Sequence, residues 1–278
     1  MTPNHPSSKT VAIIGAGPAG LMAAEVLSES GLTVDIYDAK PSAGRKFLVA
    51  GVGGLNLTHS EPFEGFLSRY GSRRVNLLPM LKAFGADELR QWAHDLGFDT
   101  FVGTSGRVFP EGMKSTLLLR AWLERLRKAG VRFNFRHEWQ GWGNDHALRF
   151  STLDGEIALK PDATVLALGG GSWPKTGSTG AWVEILRQYD VEIAPLKPAN
   201  CGFDVKWSEH FRARFAGQPL KTVVVSFTDL QGEAFSQQGE FVITETGLEG
   251  SLIYACSSRL RDMIEAQGNA TIHLDLAP

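Results

Sequence analysis

The run Thr10–Asp38, TVAIIGAGPAGLMAAEVLSESGLTVDIYD, constrains the fold more than any other stretch. Val11–Ile14 is an apolar segment of strand length that stops at Gly15-Ala16-Gly17-Pro18-Ala19-Gly20. Ala23, Val26 and Leu27 then recur at helical spacing as far as Ser30, and Gly31 stands where a helix stop belongs. Thr33–Tyr37, β-branched and aromatic, reads as a second strand with Asp38 at its end.

The spacing predicts a nucleotide site, because each glycine has a separate task there. Gly15 permits the tight turn from strand to helix, Gly17 lets a pyrophosphate approach the backbone, and Gly20 allows close helix–strand packing. Pro18 and Ala19 open the helix, whose free N–H groups and dipole favour an anion. Asp38 follows Gly20 by 18 residues, close to the spacing of about 20 for an acid that binds ribose hydroxyls. Asp rather than Arg here favours an unphosphorylated adenosine ribose, as in FAD or NAD.

From Ala39 to Ser60 the spacing predicts an irregular polar loop holding four glycines and the adjacent cations Arg45 and Lys46. Phe47, Leu48, Val49, Leu55 and Leu57 are interleaved, so the loop is expected to dock and line a ligand. Arg45 and Lys46 would offer charge to phosphates or to a substrate carboxylate. Beyond it, Leu77–Leu96 reads as two helical pieces broken near Phe84-Gly85, and Asp99–Pro110 as a hairpin. Ser115–Ala129 reads as a helix whose Leu119, Trp122, Leu123 and Leu126 face a core. Val131–Phe135 is a strand, then Ala147–Leu153 and Glu156–Leu159 form a hairpin through Asp154-Gly155. Ala163–Leu168 reads as a buried strand with a glycine-rich exit, and Gly180–Tyr189 as a helix. The texture turns strand-rich near Pro195–Pro198, with strands at Lys221–Thr228, Glu240–Thr244 and Thr271–Leu276 and one helix, Gly250–Gln267. The expected domains are therefore residues 1–195 and 196–278.

A chain of 278 residues has room for about two domains. Its net charge of −2 gives no support for a nucleic-acid or anionic-membrane partner. Met1–Lys9 resembles neither a signal peptide nor a transit helix, and no apolar run reaches the roughly 18 residues that span a bilayer. Cys201 and Cys256 read as reduced buried thiols of a cytoplasmic protein. His59, His94 and His137 are isolated, no His/Cys group has metal-ligand spacing, and no triad or acid pair is evident.

Four stretches, IIGAGPAG, GRKFLVAGVGGLNLTHSE, TVLALGGGSWPKTGSTG and GEFVITETGLEGSLIY, resemble the two-dinucleotide-binding-domain flavoproteins. Within them the chain is most similar to the BaiN-type NAD(P)/FAD-dependent oxidoreductases. The resemblance implies an α/β fold: a Rossmann-like FAD-binding domain with a small antiparallel excursion, plus a strand-rich inserted second domain. It implies FAD contacts from the loop after the ribose acid (Ala39, Lys40, Gly44, Arg45, Lys46) and from Gly169, Gly170, Gly171 and Pro174. Trp139 would pass the adenine through its backbone, and Asn56 and Thr58 would hydrogen-bond near the isoalloxazine. Such proteins complete the FAD domain with a further glycine-containing strand and an acid. Since the sequence stops at Pro278, inside the inserted domain, the expectation is a chain that holds FAD weakly. The implied function is hydride transfer from NAD(P)H through FAD to a small organic acceptor, with no nucleic-acid or membrane partner. The alternatives are a non-catalytic nucleotide-binding scaffold and a flavin-dependent RNA-modifying enzyme.

Overall fold

A computed structural model describes residues 8–50 and 54–278. Gly51 and Gly53 of the expected ligand loop lie outside the described residues, as does most of the N-terminal stretch. The chain divides into two compact units between Ala194 and Pro195.

The first unit opens with β1 (Thr10–Ile14), α1 (Pro18–Ser28), β2 (Thr33–Asp38) and α2 (Arg45–Ala50). There follow β3 (Thr58–His59), α3 (Phe63–Ser68), α4 (Arg74–Ala83), α5 (Ala86–Asp95), β4 (Thr100–Val102) and β5 (Arg107–Pro110). The unit continues with α6 (Ser115–Lys128), β6 (Arg132–Phe135), β7 (Glu138–Trp142), β8 (Leu148–Thr152), β9 (Gly155–Leu159), β10 (Ala163–Leu166) and α7 (Trp182–Arg187). A parallel sheet in the order β10-β1-β2-β6 forms its centre. This is the expected Rossmann-like arrangement, accompanied by the antiparallel sheets β3-β5-β4 and β7-β8-β9.

Strand alternation sorts the core into two layers. Val11 and Ile13 of β1, with Val34 and Ile36 of β2, join Leu21, Ala24, Trp92, Leu118, Trp122 and Leu126 on the helical face. Ala12, Ile14 and Tyr37 face the other way, onto Trp139, Leu148 and Phe150 of the β7–β9 sheet. On the helical side Glu25 of α1 holds three helices together. One carboxylate oxygen accepts from the indole N–H groups of Trp92 (3.1 Å) and Trp122 (2.6 Å), the other from Arg125 (2.7 Å).

Several local expectations need correction. Residues 45–50 are helical, not irregular: they hold no glycine or proline, and Leu48 N–H closes the turn on Gly44 O at 3.0 Å. The packed face of α1 is Gly20, Leu21 and Ala24, whereas Val26 is 61% exposed. The hairpin turn sits at Leu153-Asp154, one residue earlier than expected, because Thr152 pairs with Gly155. β10 is an edge strand with Leu166 exposed, not a buried central one. Helix α3 and strand β7 were not anticipated.

The second unit contains β11 (Phe203–Asp204), α8 (Glu209–Phe215), β12 (Pro219–Thr228), β13 (Ala234–Ile243), β14 (Gly247–Glu249), α9 (Ser251–Gln267) and β15 (His273–Asp275). Here α8 is a second helix where one was expected. The sheet is antiparallel, β11-β14-β13-β12-β15. Val223, Val225 and Phe227 alternate towards α9, meeting Leu252, Ile253, Cys256 and Leu260 in a core of their own. Both cysteines are free thiols, Cys256 buried and Cys201 partly so.

Candidate functional site

The ends of β1, β2 and β10 open onto one cavity of about 280 Å³ in the first unit. The three motif glycines meet different surroundings there. A Cβ on Gly15, whose φ is +109°, would lie 2.3 Å from Ala167 O. One on Gly20 would lie 1.9 Å from Gly15 O and 3.3 Å from Ala167 Cβ, so the turn and the helix–strand contact exclude it. A Cβ on Gly17 would meet nothing within 4 Å. Gly17 caps α1 in extended conformation with no side-chain cap, Pro18 follows it, and both line the cavity. The chain's own packing accounts for two of the glycines. The open space at the third is the place where a ligand would come against the helix terminus.

Asp38 does more than its expected role requires. Its Oδ2 accepts from Ala16 N–H and its Oδ1 from Lys40 N–H, each at 2.7 Å. The carboxylate thereby ties the turn after β1 to the chain leaving β2, and each oxygen keeps acceptor capacity for a hydroxyl. Gly44 N–H adds a tie to Ala16 O at 2.9 Å, which brings Arg45 and Lys46 of α2 to the cavity wall. Lys46 Nζ donates to Ser172 Oγ at 2.5 Å, joining α2 to the segment after β10.

Buried polar atoms without partners are rare because each costs about 1–3 kcal/mol. Among the described residues Arg45 Nε, Trp139 Nε1 and Ser178 Oγ are in that condition, whereas Glu61 Oε1 is ion-paired with Arg69 Nε. Arg45, Trp139 and Ser178 all line this one cavity. The donor set suits a dinucleotide, with a helix N-terminus and a cation for phosphates and a carboxylate for ribose hydroxyls.

Of the residues expected from sequence, Gly15, Gly17, Pro18, Asp38, Ala39, Lys40, Gly44, Arg45, Lys46, Trp139, Gly169 and Gly170 line the cavity. Ala19 and Gly20 stand just behind it in α1. Asn56, Thr58, Gly171 and Pro174 are not brought to it. Asn56 Nδ2 donates to Thr58 O (2.7 Å) and Val108 O (3.2 Å), and Thr58 pairs with Val108, so the β3–β5 ladder claims both residues. Pro174 begins a short 3-10 turn, Pro174–Thr176, whose last residue lines the cavity with Gly177 and Ser178. Sequence reasoning missed Ser178, Trp182 and His137. The proline–glycine frame of residues 174–177 was the available signal for a turn that re-presents Ser178.

The family profile described as "HI0933-like protein Rossmann domain" matches residues 9–263. The chain belongs to that family. A ribosomal RNA dihydrouridine synthase of Haemophilus influenzae is 24% identical over 277 residues, covering 96% of this chain. The chain spans 64% of that relative's length. The open conformation of a flavocytochrome c3 fumarate reductase shares the fold, at 19% identity and a TM-score of 0.52, over 78% of this chain and 47% of that one. A 3-ketosteroid-Δ4-(5α)-dehydrogenase from Rhodococcus jostii RHA1 superposes at 15% identity and a TM-score of 0.46, covering 61% of this chain and 47% of the other. Among the described residues no helix is long and apolar enough to cross a membrane, and no three His, Cys, Asp or Glu residues cluster as metal ligands.

Proposed function

We propose that the chain binds FAD in the cavity at the ends of β1, β2 and β10 and serves an oxidoreductase that passes hydride from NAD(P)H to a small organic acceptor. The observation that carries this reading is the open space at Gly17, against the α1 terminus in a cavity that Asp38, Arg45 and Lys46 also line. When bound, FAD supplies the hydride chemistry. The chain's own residues bind and orient it. The α1 terminus and Arg45 meet the diphosphate, Asp38 accepts from ribose hydroxyls, and Trp139 and Gly169-Gly170 flank the nucleoside.

Titrating FAD into the purified 278-residue chain, followed by flavin absorbance and fluorescence, tests the binding. Saturable 1:1 binding supports the proposal, and no binding at millimolar FAD sinks it. NADPH and NADH then compete as reductants of the bound flavin under anaerobic conditions.

A second reading of the acceptor is favoured by one observation, the 24% identity to an rRNA dihydrouridine synthase across 96% of the chain. On it the acceptor is a uracil ring, with hydride added to one carbon of the C5=C6 bond and a proton to the other. Against it stands the net charge of −2. Incubating flavin-loaded protein and NADPH with ribosomal RNA, then measuring dihydrouridine in the digested nucleosides, separates the two acceptor classes.

A further inference from the structure

Between Glu64 and Asp87 the sequence holds four cations, Arg69, Arg73, Arg74 and Lys82, and no acid, in a chain whose net charge is −2. This segment forms α3 and, after a short 3-10 turn at Gly71–Arg73, α4. Helix α4 has no buried residue, although Val75, Leu77, Leu78, Met80 and Leu81 are apolar. Leu77, Leu78 and Leu81 share one face and are partly covered, with α3 alongside. Val75, Pro79, Met80 and Ala83 share the opposite face and are exposed, Val75 by 71% and Met80 by 63%. At helical spacing Lys82 borders this outer stripe beside Val75, and Arg73 borders it beside Met80. The Arg69 guanidinium is taken by Glu61, but the side chains of Arg73, Arg74 and Lys82 carry no ion pair among the described residues. Phe63 and Tyr70 before α4 and Phe84 after it are exposed as well.

We propose that α4 is a docking surface for an anionic phospholipid membrane, on which Val75 and Met80 enter the interface while Arg73, Arg74 and Lys82 meet the headgroups. None of these residues lines the cavity at Gly17, so this role is separate from nucleotide binding. A contiguous exposed apolar patch with a polar rim marks an interaction site. The unpaired cations select a negative partner, and the aliphatic stripe selects among negative partners. A nucleic acid would reward the three cations but offers no hydrocarbon to Val75 and Met80. A protein would need a groove cut to the convex helix, whereas a lipid interface accommodates it without one. The long stems of Arg73 and Lys82 can then reach headgroups while the stripe between them sinks lower. The whole-chain charge of −2 is no obstacle. Attraction to the membrane fades within a Debye length of about 8–10 Å, so the surface senses chiefly the cations that face it.

Co-sedimentation of the 278-residue chain with vesicles tests this, using phosphatidylcholine alone and an equal mixture of phosphatidylcholine and phosphatidylserine. Binding is expected to the mixed vesicles and not to the neutral ones, and it should fall as salt is raised. Replacing Arg73, Arg74 and Lys82 together with Gln should weaken it by about a hundredfold, roughly fivefold per cation. Val75→Ser with Met80→Ser leaves every charge in place and should weaken it by about tenfold. All five positions are exposed, so melting of both variants should stay within about 2 °C of wild type. No binding to the mixed vesicles overturns the proposal, as does equal binding to the neutral ones. A single-stranded RNA oligonucleotide and sedimentation of the protein alone test the rival occupants. RNA bound more tightly than the vesicles, and unaffected by the Val75 and Met80 substitutions, would assign the surface to a nucleic acid. A dimer that those substitutions dissolve would assign it to a second copy of the chain. Either result also overturns the proposal.

Discussion

Glu25 carries a load at the residue scale that its place in a helix sequence does not disclose. Its side chain is 13% exposed and is the common acceptor for Trp92, Trp122 and Arg125. Glu25→Ala leaves two indole N–H groups and a guanidinium unpaired among α1, α5 and α6, and should cost about 2–4 kcal/mol of unfolding free energy. Urea denaturation measures this, and a loss under 1 kcal/mol would show that the network is incidental. Cys256 gives a pH-dependent counterpart. Burial pushes its thiol up to about 11 from an ordinary 9.0. Below pH 9 both states hold the proton. Between about 9 and 11 only the folded state does, so this stabilisation declines as pH rises through that window. Cys256→Ala should flatten the stability profile between pH 9 and 11. An unchanged slope would assign that slope to other groups. At this scale the turn built by Gly15 and Asp38 was legible, because both act through backbone geometry next to β1 and β2. The structural claim on Asn56 was not legible, since it depends on Val108, far along the chain.

Helix α2 shows at the element scale why the loop after β2 was misread. Glycines at 44, 51, 53 and 54 suggested irregular chain, but only Gly44 is needed to start the helix, at φ +64°. Of the hydrophobics that marked the segment as docked, Phe47 and Leu48 pack inward from α2, Phe47 meeting Trp122 edge-on at 6.4 Å, whereas Val49 is exposed. A Cβ on Gly44 would stand 2.6 Å from Leu119 Cδ2. Gly44→Ala should therefore lift α2 from α6 and carry Arg45 and Lys46 out of register. We expect a loss of about 1–3 kcal/mol in stability together with weaker nucleotide binding. Normal nucleotide affinity in this variant would show that α2 does not serve the site. Long periodic elements such as α6 and α9 were legible because their apolar stripes exceed two turns. Two- to four-residue pieces such as β3, and the edge position of β10, depend on pairing that no local pattern encodes.

On the scale of the whole molecule, the chain is two units with separate cores, and the site lies wholly within the first. That unit is layered by strand alternation, which the apolar run at Val11–Ile14 could not reveal because both faces of β1 are covered. The central claim is that the layers exist to hold a dinucleotide against Gly17. It is tested most directly by Gly17→Ala, measured both by thermal unfolding of the ligand-free protein and by FAD titration. Gly17 has φ −80°, which alanine adopts freely, and its Cβ would enter open space. The account predicts a melting temperature within about 2 °C of wild type, a change of under 0.5 kcal/mol. It predicts FAD affinity lower by about tenfold or more, because the added methyl occupies the diphosphate's approach. Undiminished FAD affinity in a folded Gly17→Ala protein would contradict it.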